Sequence, residues 1–185
     1  MNSLKENKSE LNHLKNETNK RAAILIIILT YNDFKNDPHI LFTKRSSSLR
    51  THSGEVSFPG GKEEDDDLNL FSTALREANE EINLKIEHVK KKGELKYLFS
   101  KHGIKVYPYA VTLDNYQEFL PNSEISDIFT VPISFLIKKK NIHMQDLSRN
   151  NTQIKIPSWV YNGFKIWGLT AMITAEFLNI YYNAN

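Results

Sequence analysis

Residues 22–29 of the chain, Ala-Ala-Ile-Leu-Ile-Ile-Ile-Leu, are apolar without interruption. A run this short and this rich in β-branched side chains predicts a strand buried on both faces. Asp37-Pro38 marks a turn, and 39–45 read as a second strand. From 46 to 61 Ser, Gly and Pro break the pattern, which predicts a functional loop with a short strand near Val56-Phe58. Helical spacing then appears over 69–82. Strands at about 94–100 and 104–113 flank Lys101-His102-Gly103 as a hairpin. Residues 127–137 are apolar around Pro132, and 141–152 read as a polar loop. A second hairpin, 153–158 with 162–167, turns at Asn162-Gly163. A last helix covers about 168–182, with Leu169, Met172, Ile173, Phe177 and Ile180 on one stripe. Residues 1–20 hold Leu4, Leu11 and Leu14 among Asn, Lys and Glu. They predict a polar N-terminal extension, mobile or loosely docked. That leaves 21–185 as a single α/β domain.

Composition narrows the function. The chain has 185 residues, 40% hydrophobic and 25% charged, with a net charge of +2. These values fit one ordinary globular domain and do not suggest a nucleic-acid partner. There is no Cys, which excludes disulfides, thiolate zinc sites and Cys nucleophiles and fits a reducing, cytoplasmic setting. The eight-residue apolar run is far short of the ~20 needed to cross a bilayer. Thr-Tyr-Asn-Asp follows it in place of a small-residue cleavage pattern, so neither a membrane segment nor a signal peptide is expected. The Ser46–Ser48 run has no matching His-Asp constellation, which argues against a serine hydrolase.

The chemistry concentrates on the helix at 69–82. Phe71, Leu75, Ala78 and Ile82 share a ~60° arc, and Glu77, Glu80 and Glu81 share a ~100° arc opposite. Like charges one turn apart repel by a few tenths of a kcal/mol, and only Arg76 flanks them. The plain reading is a solvated acidic face. However, Asn83 suits the left-handed residue that stops a helix, so the acids fall in the last turn, where the helix dipole disfavours them. A hard divalent cation would turn that repulsion into binding.

Ser57-Phe58-Pro59-Gly60-Gly61-Lys62 precedes this helix. Adjacent glycines can present N–H groups to phosphate, or simply form a turn. The acid run Glu63–Asp67 reads as a mostly solvated loop. Upstream, Lys44, Arg45 and Arg50 offer cations suited to phosphate. Lys90–Lys92 and Lys138–Lys140 carry no accompanying motif and read as solvated charges. His52, His39, His88, His102 and His143 form no ligand pattern, and Trp159, Trp167, Tyr161 and Tyr181 read as packing.

These residues resemble the Nudix hydrolase family. Its box opens at Gly61 and closes at Arg76-Glu77-Ala78-Asn79-Glu80-Glu81-Ile82-Asn83-Leu84. Asp67 stands where the first Glu of the box would be, eight residues rather than seven precede Arg76, Ala78 is small, and Asn83 replaces a Gly. The extra residue is similar to the coenzyme A diphosphatase branch. That branch carries a second signature, matched here by Leu41-Phe42-Thr43-Lys44-Arg45-Ser46, Arg50, Gly54 and Phe58-Pro59-Gly60-Gly61, with only Phe42 departing. The likeness runs over about 22–182.

The resemblance implies a Nudix fold, a mixed β-sheet sandwiched between α-helices. It also implies hydrolysis of a nucleoside diphosphate linked to another group, with Mg²⁺ or Mn²⁺. For coenzyme A or its derivatives the products would be adenosine 3′,5′-bisphosphate and 4′-phosphopantetheine compounds. Glu77 and Glu81, supported by Glu80, would hold the metal. Arg45 and Arg50, with the Gly60 and Gly61 N–H groups, would hold the substrate, and Arg76 would orient a carboxylate or meet phosphate charge. Glu124 is the later-loop candidate for the base, with Glu80 the alternative. ADP-ribose or an oxidised nucleotide is the rival substrate. A non-catalytic nucleotide-sensing module is the rival class, though it would not need three intact carboxylates.

Overall fold

The computed structural model of the protein describes residues 20–47, 53–149 and 152–184. The expected extension at 1–20, apart from Lys20, lies outside the described residues, as do Arg50 and His52.

The uninterrupted apolar run is strand β1 (Arg21–Leu29). Its alternate side chains serve two cores, as the period of two in a strand requires. Ala22, Ile26 and Ile28 face one core, and Ala23, Leu25, Ile27 and Leu29 face the other. β2 (His39–Arg45) pairs antiparallel with β1 only at Ile28↔Ile40 and Leu29↔His39. Below that point the two strands separate. β3 (Val56–Ser57) pairs with the lower part of β2, and β4 (Gly60–Lys62) pairs with the lower part of β1. The short segment Val56–Lys62 thus bridges the split.

Helix α1 (Leu70–Ile82) buries Ala74, Ala78 and Ile82 against the second core. Its start is a capping box: Asn69 accepts from the Ser72 N–H, and Ser72 accepts from the Asn69 N–H. Its end is Asn83, left-handed at φ 54° and ψ 42°. There the Asn83 N–H bonds the Asn79 carbonyl and the Leu84 N–H bonds the Ala78 carbonyl.

β5 (Val89–Glu94), β6 (Leu98–Phe99) and β7 (Lys105–Leu113) follow, and β7 runs parallel to β1 through nine residue pairs. β8 (Ile125–Pro132) lies on the far side of β2. After the short helix α2 (Ile133–Leu136) come β9 (His143–Arg149), β10 (Thr152–Tyr161) and β11 (Phe164–Ile166), a separate three-stranded sheet. Helix α3 (Gly168–Ala184) closes the first core with Ala171, Ile173, Phe177 and Leu178, beside the buried Trp159. The mixed sheet therefore lies between α1 and α3, an α/β fold as expected.

The structure corrects several expectations. The loop expected over 46–61 gives way at Gly60, where β4 begins. Residues 141–152 are not a polar loop; most form β9, whose Met144 is exposed and therefore leaves little apolar trace. β5 was hidden by its lysines, which suit an edge strand because they deter further pairing. Lys91 there is not a free charge, since it pairs with Glu94 and lies over the Phe71 and Tyr109 rings. On α3, Ile180 is exposed, and Thr174 and Leu178 take its place in the buried stripe. Trp167 is partly exposed rather than packed inside. Among the described residues no helix is long and apolar enough to cross a membrane.

Gly60 carries the tightest backbone contact. It has φ 145°, and a Cβ there would collide with the Ala23 carbonyl and lie 2.6 Å from the Ile24 Cα. Gly60→Ala should therefore cost at least ~2 kcal/mol, from φ strain and from forcing β4 off β1. Urea unfolding followed by far-UV circular dichroism reads this; an unchanged midpoint would refute the close approach.

Candidate active site

The site lies where β1 and β2 separate. α1 packs directly over β4, and Gly61 leaves room there for the Glu77 carboxylate. A Cβ on Gly61 would overlap the carboxyl carbon and both oxygens of Glu77. One turn later, the Glu81 carboxylate reaches the same strand. Its Oε2 accepts from the Gly60 N–H at 3.0 Å, and its Oε1 lies 3.5 Å from Arg45 Nη1.

Glu81 is only 5% exposed. The solvated acidic face thus fails at Glu81, the member nearest the apolar stripe, because α1 is rotated so that Glu81 faces the strand beneath. Burial pushes the Glu81 carboxyl up to about 7, against the pull of the Gly60 N–H and Arg45; Glu77 and Glu124 push it further up. Burial also raises the Glu77 carboxyl, with Arg76 opposing. The expected use of the Gly60 and Gly61 N–H groups on phosphate is not what the fold displays. The Gly60 N–H holds Glu81, and Gly61 lies in the β4 pairing with Ala23.

Arg45 spans two carboxylates, since its Nη2 also meets Glu124 Oε2 at 3.0 Å. Arg45 ends β2, and Glu124 precedes the first residue of β8, so strand pairing brings them together. The Ser46 N–H bonds the Glu124 carbonyl at 2.7 Å. The same loop closes the end of α1: the Leu120 N–H bonds the Ile82 carbonyl at 3.2 Å, and the Asn122 N–H bonds the Glu81 carbonyl at 3.0 Å. Those carbonyls are half of the dipole problem that a C-terminal acid faces, and the loop satisfies them.

Arg76 organises the remaining acids. Its Nε and Nη2 grip Asp67 at 3.0 and 3.1 Å, Nη1 reaches Glu77 at 3.2 Å and Glu80 at 3.3 Å, and Nη2 also donates to the Lys62 carbonyl. Arg76 therefore orients carboxylates in this structure. Asp67, in the acid run that reads as a mostly solvated loop, has a nearly buried side chain, and Arg76 holds its carboxyl well below the usual range. Glu63 likewise pairs with Arg21 at 2.6 Å. Sequence reasoning also passed over Asn122. The only trace it left was an Asn two residues before an acid, the spacing of an Asx turn.

The donor set suits a hard divalent cation. All three helix acids offer carboxylate oxygens, and Gly61 leaves room for the Glu77 carboxylate. As they stand, the acids are shared between two guanidiniums, and no three acidic or imidazole groups among the described residues converge as a formed metal cluster.

Residues 19–148 match the NUDIX domain model. A relative named "Uncharacterized Nudix hydrolase NudL" from Photorhabdus laumondii subsp. laumondii is 37% identical over 158 residues, covering 85% of this chain and 82% of that protein. A protein of the same name from Yersinia pestis (strain Pestoides F) is 38% identical over 163 residues, covering 87% and 79%. Among solved structures, the C. elegans Ap4A hydrolase binary complex superposes with a TM-score of 0.52 at 21% identity, over 63% of this chain and 83% of that one. This last likeness is one of fold.

The Glu81 burial makes a pH prediction. Its folded value of about 7 lies above the ordinary 4.5, so the stability it contributes is full below pH ~4.5 and is lost as pH rises through 7. The full loss is about 3 kcal/mol at most. Without metal, Glu81→Gln should remove this slope, so that its stability gain over the wild type grows from pH 5 to pH 8. Urea midpoints of both proteins across that range measure it; a constant difference would show that Glu81 is ionised at no cost.

Proposed function

The chain belongs to the Nudix family of diphosphate hydrolases, and on that premise we propose that coenzyme A or one of its derivatives is its substrate. Cleavage of the P–O–P bridge would yield adenosine 3′,5′-bisphosphate and a 4′-phosphopantetheine compound. The observation that carries this reading is the linked signature from Leu41 to Gly61. Its Arg45 and Gly60 both meet Glu81 of the helix motif. A second signature written into the same few ångströms as the first supports a substrate-specific role for it. The upstream signature is also what favours coenzyme A over ADP-ribose or an oxidised nucleotide.

In this reading Glu77 and Glu81, with Glu80 beside them, hold Mg²⁺ or Mn²⁺. When bound, such an ion supplies charge neutralisation at the phosphoryl oxygens and lowers the pKa of water. Arg76 keeps Glu77 and Glu80 aimed and neutralises part of their mutual repulsion. Glu81 is poised between proton and cation, because among the described residues its buried carboxylate has the Gly60 N–H and a 3.5 Å guanidinium to stabilise its charge. Arg45, whose contact to Glu81 is the longer of its two, would offer N–H donors to a phosphate oxygen. Arg50, outside the described residues, is a second substrate cation in the signature. Glu124, exposed and held at the mouth by Arg45, takes the proton of the attacking water at its carboxylate; Glu80 is the alternative base. A cytoplasmic setting, where coenzyme A and Mg²⁺ are both at hand, belongs to the same proposal.

The test is a substrate panel of coenzyme A, its acyl and disulfide forms, ADP-ribose and nucleoside triphosphates, each with and without Mg²⁺. Metal-dependent release of adenosine 3′,5′-bisphosphate at the highest kcat/KM is the expected outcome. Faster turnover of ADP-ribose would overturn the substrate, and no turnover of any member would favour a nucleotide sensor. Glu81→Gln should lower kcat by ~10²-fold or more without unfolding the protein, while Arg50→Ala should chiefly raise KM. Normal turnover by the first variant, or an unchanged KM for the second, would remove that residue from its role.

A further inference from the structure

We propose that Asn122 is a positioning residue for Glu124, an inference that rests on the reading of Glu124 as the proton acceptor. Glu124 sits on the loop just before β8 and is exposed. A flexible carboxylate there would spend little of its time in one place, so something must fix its backbone relative to Glu81. Asn122 makes the three bonds that do so. Its N–H donates to the Glu81 carbonyl at 3.0 Å, which fastens the loop to the last turn of α1. Its side-chain Oδ1 accepts from the Glu124 N–H at 2.9 Å, which folds the next two residues back in an Asx turn. Its carbonyl accepts from the Ile125 N–H at 3.3 Å, where β8 begins. On the other side the Ser46 N–H holds the Glu124 carbonyl at 2.7 Å.

The consequence is a direct mechanical link. The residue that buries its carboxylate against Gly60 also supplies, through its own main chain, the anchor for the loop that delivers the second carboxylate. Only the Oδ1 bond depends on the side chain of residue 122. Asn122→Ala therefore keeps the loop fastened to Glu81 and removes just the bond that orients Glu124. Asn122→Asp keeps an acceptor oxygen at the same place.

The experiment is a kinetic double-mutant cycle together with amide hydrogen exchange. Asn122→Ala should lower kcat ~10-fold or more and leave KM within ~2-fold, and Asn122→Asp should restore most of kcat. In a Glu124→Gln background Asn122→Ala should have no further effect on kcat, because nothing is left to position. The Glu124 amide should exchange ~5–10-fold faster in Asn122→Ala, with the Gly60 amide unchanged. An equal kcat loss in both backgrounds, or an unchanged Glu124 amide, would overturn the proposal whatever the substrate is. Wild-type kcat in Glu124→Gln would refute the base and this proposal together, while leaving the Glu81 reading intact. Cleavage of another nucleoside diphosphate in place of coenzyme A would refute the substrate alone, and the cycle would be read on that compound.

Discussion

A carboxylate taken out of water against a sheet is the constraint around which this protein is arranged. Glu81 gains one backbone N–H and one guanidinium at 3.5 Å in exchange for its hydration. That is a poor exchange for a charge, and the raised carboxyl pKa expresses it. The surrounding structure is what makes the placement possible. Gly60 lets β4 lie against β1, Gly61 leaves room beside β4 for the Glu77 carboxylate, and α1 points Glu81 at a strand instead of at solvent. A Cβ at residue 60 would push β4 off β1, and one at residue 61 would displace the Glu77 carboxylate.

Two guanidiniums divide the acids between them. Arg76 gathers Asp67, Glu77 and Glu80 from its place within the helix, and Arg45 reaches Glu81 and Glu124 from the end of a strand. The assignments differ in kind. Asp67 is almost fully enclosed and holds Arg76 through two parallel bonds, a fixed pairing that leaves the guanidinium little freedom. Arg45 instead bridges two acids that belong to different elements, and its longer contact to Glu81 is the easier one to exchange. A rigid pair on one side and an exchangeable pair on the other is a sensible division for a site that must admit a multiply charged anion.

The split between β1 and β2 gives this charge cluster its access. Pairing of the two strands stops after Leu29 and Ile28, so the lower end of β2 is free to carry Arg45 sideways toward β8. The loop ahead of β8 then satisfies the open carbonyls of α1 and brings in Glu124. One segment thus caps a helix, extends a sheet and brings the Glu124 carboxylate to Arg45, which ties the stability of the helix end to the geometry of the site.

The sequence alone determined the elements with strong periodicity: the two-sided strand at 22–29, the helix at 69–82 with its Asn stop, the hairpin at Asn162-Gly163, and the last helix. It also brought forward the acids and the Gly-Gly pair, because chemistry needs those residue types at those spacings. Only the tertiary structure decided which way they face. Rotation of α1 about its axis is set by the packing of Ala74 and Ala78 on β1, and that rotation, invisible to a helical wheel drawn from Phe71 and Leu75, buries Glu81. Likewise the glycines were legible as permissive residues, yet whether permission served a phosphate or a neighbouring helix depended on which strand lay beneath. β5 and β9 are hard to read from sequence because their pairing is made by backbone groups, which every residue carries, while Lys90 and Lys92 on β5 and His143, Met144 and Asp146 on β9 are exposed. Asn122 is hard to read for a related reason: the partners of its main-chain and side-chain groups, the Glu81 carbonyl and the Glu124 N–H, come within reach only once the chain has folded.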